Sequence, residues 1–206
     1  MADFYLASHS PRRRDLLRQI GARFETLLMR SGPPRGPDIT EALRDGEAPE
    51  QYVERIAREK CENGMRAMGA RSLLARPVLG ADTIVIVEGK ILGKPQDLAQ
   101  ATAFLQQLCG RTHEVRTAVA LAVPGGRAAT IHTSVCSSLV TLRALDAEQI
   151  ARYCASGEPF DKAGGYAIQG RAAMFIEKLE GSYSGVVGLP LAETAALLAR
   201  AGVRLL

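Results

Sequence analysis

The chain has 206 residues, 47% hydrophobic and 23% charged, which is enough to bury a sizeable core as one domain or two small lobes. Its formal charge of +4 favours an anionic partner, although charge alone does not choose among a nucleotide, a nucleic acid and simple solubility. Four scattered cysteines, Cys61, Cys109, Cys136 and Cys154, share no CxxC spacing, which speaks against a zinc site or a disulfide scaffold and for a reducing cytoplasm. No run of about 18 apolar residues occurs and no charged-then-apolar segment opens the chain, so neither a membrane span nor a secretory leader is expected.

Phe4 to Ala7 is a short apolar run of strand type, and Leu16, Leu17 and Ile20 then recur at helical spacing. Ser10 is a good N-cap and Pro11 fits the first helical position, where no amide donor is missed. Arg12, Arg13 and Arg14 fall in the first turn, where the dipole is already positive. Each cation there costs about 0.3–1 kcal/mol on a surface. The arrangement becomes favourable if an anion accepts the backbone N–H groups and guanidinium forks together; a solvated Arg-rich turn is the plain alternative.

Arg23 to Met29 reads as a strand, Ser31 to Pro37 as a Gly/Pro loop, and Glu41 lies in the charged linker that follows. Tyr52, Val53, Ile56, Ala57 and Cys61 form one apolar stripe, which predicts an amphipathic helix from Pro49 to about Met68. Its polar face carries Arg55, Arg58, Glu59 and Lys60, solvated by default. Val78 to Val87 is the most strand-like run, continuously apolar and so buried on both faces, with Glu88-Gly89 as a hairpin turn into Lys90–Leu92. Asp97 with Gln100, and Asp146 with Gln149, are capping-box pairs for two further helices, stopped by Gly110 and near Gly157. Two long strands, His113 to Val123 and about Ala128 to Leu142, lie between those helices, joined by a turn at Pro124-Gly125-Gly126. Glu158 to Gly170 is Gly-rich and polar, a functional loop. Ala173 to Leu179 reads as a strand, Gly181 to Pro190 as irregular, and Leu191 to Ala201 as a helix ended by Gly202. Strands and helices without strict alternation indicate a mixed α/β or α+β protein, one long sheet with helices around it.

Several residues in this frame suit chemistry. Asp82 is an acid inside a buried run. It is either a strand-end aspartate held by backbone amides or a general base or metal ligand at a strand end. Lys94 is held by Gly93 and Pro95 in a rigid loop that suits a phosphate. Gln169 offers donor and acceptor together, as a pyrimidine edge requires. Ser8 follows the first strand, within reach of a phosphate or of its own turn. His9, His113 and His132 have no metal spacing, and no GxxxxGK[ST], GxGxxG or GxSxG motif occurs.

Four stretches together resemble the Maf family of nucleoside triphosphate pyrophosphatases: Leu-Ala-Ser8-His-Ser-Pro-Arg12-Arg13; Tyr52 to Lys60; Leu-Gly-Ala-Asp82-Thr83-Ile-Val with Gly-Lys94-Pro; and Phe-Asp-Lys-Ala-Gly-Gly-Tyr-Ala-Ile-Gln169-Gly with Val-Gly-Leu-Pro. They span nearly the whole chain in order; one departure is the Ser31–Pro37 loop, longer than is usual for the family. The resemblance implies an inosine triphosphate pyrophosphatase-like fold, a long bent mixed sheet with two lobes around a central cleft, as a single domain over 1–206. It implies cleavage of a nucleoside triphosphate between the α and β phosphates with a divalent metal (Mg²⁺, Mn²⁺ or Co²⁺), and the Ala-Asp82-Thr83 and Ala-Ile-Gln169-Gly forms resemble the subgroup acting on dTTP and UTP. By the same resemblance Asp82 activates the water directly or through a metal, with Glu41 as a further metal ligand. Arg12, Arg13, Lys60 and Lys94 bind the triphosphate with Ser8, and Thr83, Gln169 and Arg12 favour the pyrimidine. The rival reading is a non-catalytic, nucleotide-sensing regulator of cell division. A nucleic-acid module fits poorly, since aromatics are only 5% and the basic residues are scattered. A homodimer through the long strands is reasonable.

Overall fold

The computed structural model describes residues 2–28, 39–125 and 128–205. The expected loop at Ser31–Pro37 and the Gly126 end of the expected turn lie outside them. Among the described residues, seven strands form one open mixed sheet in the order β2-β1-β3-β5-β6-β7, with β4 paired to β3. These are β1 (Phe4–Leu6), β2 (Phe24–Thr26), β3 (Val78–Val87), β4 (Lys90–Leu92), β5 (Thr112–Val123), β6 (Thr130–Leu142) and β7 (Ile176–Glu180). The helices are α1 (Pro11–Gln19), α2 (Pro49–Ala70), α3 (Leu98–Leu108), α4 (Ala147–Ala155), α5 (Tyr183–Val187) and α6 (Leu191–Arg200). The mixed α/β class expected from the sequence is what the chain adopts.

Two compact units share these elements. The first is Met1–Asp82 with Thr117–Cys136 and Gly188–Leu206; the second is Thr83–Arg116 with Ser137–Val187. In the first, β1 runs parallel to both β2 and β3, with Phe4 opposite Phe24 and Leu6 opposite Leu79. Phe4, Leu6, Leu17, Ile56, Leu79 and Leu198 are essentially fully buried there. In the second, β4 returns antiparallel along β3 and β7 antiparallel along β6. Val85, Leu105, Leu108, Val140, Tyr153 and Phe175 belong to its core.

Local chemistry accounts for most boundaries. The Ser10 hydroxyl accepts the Arg13 N–H at 3.4 Å, with Pro11 opening α1. Glu88 and Gly89 both take positive φ (50° and 75°), the mirror-image turn whose twist suits a two-residue hairpin. Asp146 and Gln149 form a reciprocal box at 2.8 and 3.1 Å. At α3 only half of the expected box forms: Asp97 accepts the Gln100 N–H, but the Gln100 amide oxygen takes the N–H of Gln96 instead.

Two expectations need correction. The strand read from Ala173 begins only at Ile176, because Arg171–Phe175 is a 3₁₀ turn whose first amides are drawn to the Glu158 carboxylate. The stretch read as irregular from Gly181 contains α5, nucleated by Ser182, whose hydroxyl accepts the Gly185 N–H and whose carbonyl accepts the Val186 N–H.

Candidate active site

In the first unit, Lys60, Asp82 and Glu41 meet where β3 passes α2. Buried positions on α2 include Tyr52, Val53, Ile56, Ala57, Cys61 and Gly64. Lys60 sits at the rim of this stripe, so its side chain is only 15% exposed and the solvated default does not hold for it. The strand comes this close because of Gly80. A Cβ there would meet the Ala57 carbonyl at 2.5 Å and the Cys61 nitrogen at 2.7 Å. Two residues along the strand lies Asp82, on the same face as Gly80, so the close approach delivers its carboxylate to α2.

Lys60 Nζ lies 2.7 Å from Asp82 Oδ1 and 2.7 Å from Glu41 Oε1, one ammonium bridging two carboxylates. Asp82 is 8% exposed, and this pairing is what makes burial of its charge tolerable. The sequence left Asp82 either backbone-held or chemically active; its carboxylate is met by a side-chain cation, Lys60. Glu41 is held from behind: its carbonyl accepts the Tyr52 hydroxyl at 3.1 Å, and the Ala42 carbonyl accepts from Arg55 at 3.0 Å. Arg55 also grips Glu47 through two bonds of 2.6 and 2.7 Å, which lowers the Glu47 carboxyl to about 2. Burial, with Asp82 and Glu41 adding their negative charge, pushes the Tyr52 phenol up to about 12.

At the start of α1, Arg13 turns inward. Its Nε donates to the Gly188 carbonyl at 2.8 Å, and its Nη1 donates to the Ala81 carbonyl at 2.6 Å and to Ser8 Oγ at 3.3 Å. Burial pulls this guanidinium below its ordinary value, while Asp82 and Glu41 pull it back up. The sequence reading put Arg13 on a triphosphate. In this structure its Nε and Nη1 bond protein oxygens, one of them the carbonyl just before Asp82, and these bonds brace the start of α1. Ser8 Oγ accepts from both Ser10 N–H and Arg13. With both lone pairs taken, its O–H proton is the group left to donate outward. Arg12 is half-buried in the same helical turn.

Thr83, Lys94 and Gln169 belong to the second unit. Lys94 is exposed beside Gly93, whose carbonyl accepts the Gly164 N–H at 3.0 Å. Gly164 (φ +69°) lies so close to Val85 that a Cβ would meet its side chain at 2.9–3.0 Å, which seats the Glu158–Gly170 segment on the β3–β4 hairpin. Tyr166 Oη and His113 Nε2 are 2.7 Å apart, rings edge-on, and Gln169 is exposed three residues on. Burial lowers His113 to about 4.

Sequence reasoning missed Gly80, the Arg13 brace and Glu158. A glycine interrupting a continuous buried strand is the one signal that was readable, since it marks close backbone approach. Among the described residues, no group of three or more His, Cys, Asp or Glu side chains gathers to hold a metal, and no helix is long and apolar enough to cross a membrane.

An open mixed α/β sheet that carries a cation-bridged carboxylate pair beside an arginine-braced helix start defines the class of protein to which this chain belongs. Within that class the chain belongs to the Maf family: the model of the Maf-like protein family matches residues 3–201. It is 54% identical over 198 residues to the dTTP/UTP pyrophosphatase of Aromatoleum aromaticum, covering 96% of this chain and 94% of that one. It is 50% identical over 203 residues to the dTTP/UTP pyrophosphatase of Nitrosospira multiformis, covering 98% and 95%, and 49% identical over 202 residues to that of Dechloromonas aromatica, covering 97% and 98%.

Proposed function

We propose that this chain is a nucleotide pyrophosphohydrolase that hydrolyses dTTP and UTP to the monophosphate and pyrophosphate by attack of water at the α-phosphorus. Relatives bearing that activity in their names match it over nearly their whole length. The observation that carries the reading is the buried Asp82 carboxylate paired with Lys60 and sharing it with Glu41. A pure nucleotide sensor has no use for a water-activating acid, so the enzyme is favoured over the regulator.

In this reading Asp82 accepts the proton of the attacking water. Lys60, 2.7 Å away, holds that carboxylate in place. Ser8 donates its hydroxyl proton to a phosphate oxygen, Arg12 and Lys94 offset phosphate charge, and Arg13 holds Ser8 and the Ala81 carbonyl in place. Thr83, Gln169 and Arg12 favour the pyrimidine.

Asp82 and Glu41 also fit a divalent metal. Two carboxylates already converge on one cation, and Mg²⁺ is commonly held by one or two carboxylates with substrate phosphates completing the shell. Such a metal would offset negative charge on the phosphates and would make the attacking water more acidic. All four cysteines are thiols rather than disulfides, which supports a cytoplasmic enzyme. The test is pyrophosphate release from a panel of nucleoside triphosphates with Mg²⁺, Mn²⁺ and Co²⁺. Preference for dTTP and UTP supports the reading, and binding of dTTP without pyrophosphate formation under every metal overturns it.

A further inference from the structure

Within the second unit, the segment that carries Gln169 is pinned by the Glu158 carboxylate. Glu158 Oε1 accepts the Tyr153 hydroxyl at 3.0 Å and the Ala172 N–H at 3.2 Å, and Oε2 accepts the Arg171 N–H at 2.8 Å. The carboxylate thus serves as a remote cap for the 3₁₀ turn Arg171–Phe175, whose own preceding residue, Gly170, has no side chain to do so. It lies flat over Gly170, where an added Cβ would land on the carboxylate carbon at 2.5 Å. The Gly170 N–H in turn closes a tight turn onto the Ala167 carbonyl at 2.9 Å, with Gln169 inside it. Upstream, the Tyr166–His113 pair holds the other end. Gln169 is therefore an exposed amide on a short turn anchored at both sides.

We propose that Glu158 is the positioning residue for Gln169: by capping Arg171 and Ala172 and lying over Gly170, it fixes the backbone from which the Gln169 amide meets the pyrimidine. The inference rests on the reading of the chain as a dTTP and UTP hydrolase. Thymine and uracil present the same carbonyl acceptor beside an N–H donor, whereas cytosine presents the reverse pattern. A held amide selects between them, and a loose one, free to turn over, does not.

The full-length Glu158→Gln and Gly170→Ala variants test this, assayed with UTP, CTP and ribose 5-triphosphate, which has no base. The glutamine variant puts an NH₂ group among N–H donors, and the alanine variant evicts the carboxylate. Loss of one or two such charge-assisted bonds is expected to shrink the UTP-to-CTP ratio of kcat/KM about tenfold to a hundredfold, mainly through KM for UTP. Ribose 5-triphosphate turnover should fall at least tenfold less, and Glu158→Gln should add little further loss of selectivity in a Gln169→Ala background. An unchanged ratio in both variants, or an equal fall on all three substrates, overturns the proposal while wild-type UTP turnover stands. Absence of UTP turnover in the wild type overturns instead the functional reading on which the proposal rests.

Discussion

The two units solve opposite problems. In the first, the side chains are charged and largely buried, and they are satisfied by one another: Lys60 by Asp82 and Glu41, Arg13 by two carbonyls and Ser8. In the second, the readable group is a neutral, exposed amide, and the charge of Glu158 is spent on the backbone behind it. The difference teaches where rigidity comes from. A buried ion is held because leaving it unpaired costs several kcal/mol, roughly 3–5 for a broken pair. An exposed amide has no such penalty, so its direction depends on how firmly the turn beneath it is tied.

The sharpest way to break this contrast is to remove the acid's charge without its shape. Asp82→Asn is expected to cut pyrophosphate release about 10³-fold in a chain that still folds, since general-base catalysis is worth about 10²–10⁴-fold. Circular dichroism and a pyrophosphate assay on one sample check this; substantial turnover in the folded variant removes Asp82 from the centre.

His113 sharpens the comparison from the second unit. Its ordinary value is 6.5 and burial takes it to about 4, so between those values the unfolded chain binds a proton that the folded one refuses. Its contribution is complete above pH 6.5 and is lost as pH falls toward 4, a difference of roughly 3 kcal/mol by that shift. Urea unfolding at steps of pH should show this slope, flattened in His113→Gln.

Gly80→Ala attacks the approach of β3 to α2. The new methyl overlaps backbone rather than a flexible side-chain end, so a loss of about 2 kcal/mol is expected in urea unfolding. Activity should fall further than that loss alone accounts for, because Asp82 moves with the strand. The smallest effect belongs to Glu47. Held near 2 by Arg55 and ordinary at 4.5 when unfolded, it favours the fold fully above pH 4.5 and loses that hold as pH falls through about 2. NMR titration should therefore place its carboxyl near 2 in the wild type, and near its ordinary value in Arg55→Met.

Much of the frame was legible because its causes are short-range. Ser10 and Pro11, Glu88-Gly89, and Asp146 with Gln149 act over at most three residues, so their turns and caps can be read in place. The 3₁₀ turn at Arg171–Phe175 was not legible, because the carboxylate that draws its amides comes from Glu158, thirteen residues away. Apolar Ala173 to Leu179 looks like a strand to any rule that sees only neighbours.

The chain alone thus determined which residues could carry chemistry: an acid in a buried strand, a serine and arginines at a helix start, a lysine between glycine and proline, an amide in a polar loop. Only the tertiary structure decided how they are employed. It made Arg13 a brace, by bonding it to Gly188 across 175 positions, and it set Lys60 between two carboxylates. The physical reason is that a charge's role depends on which partner shares its desolvation. That partner is chosen by how closely β3 and α2 pack at Gly80, not by order along the chain.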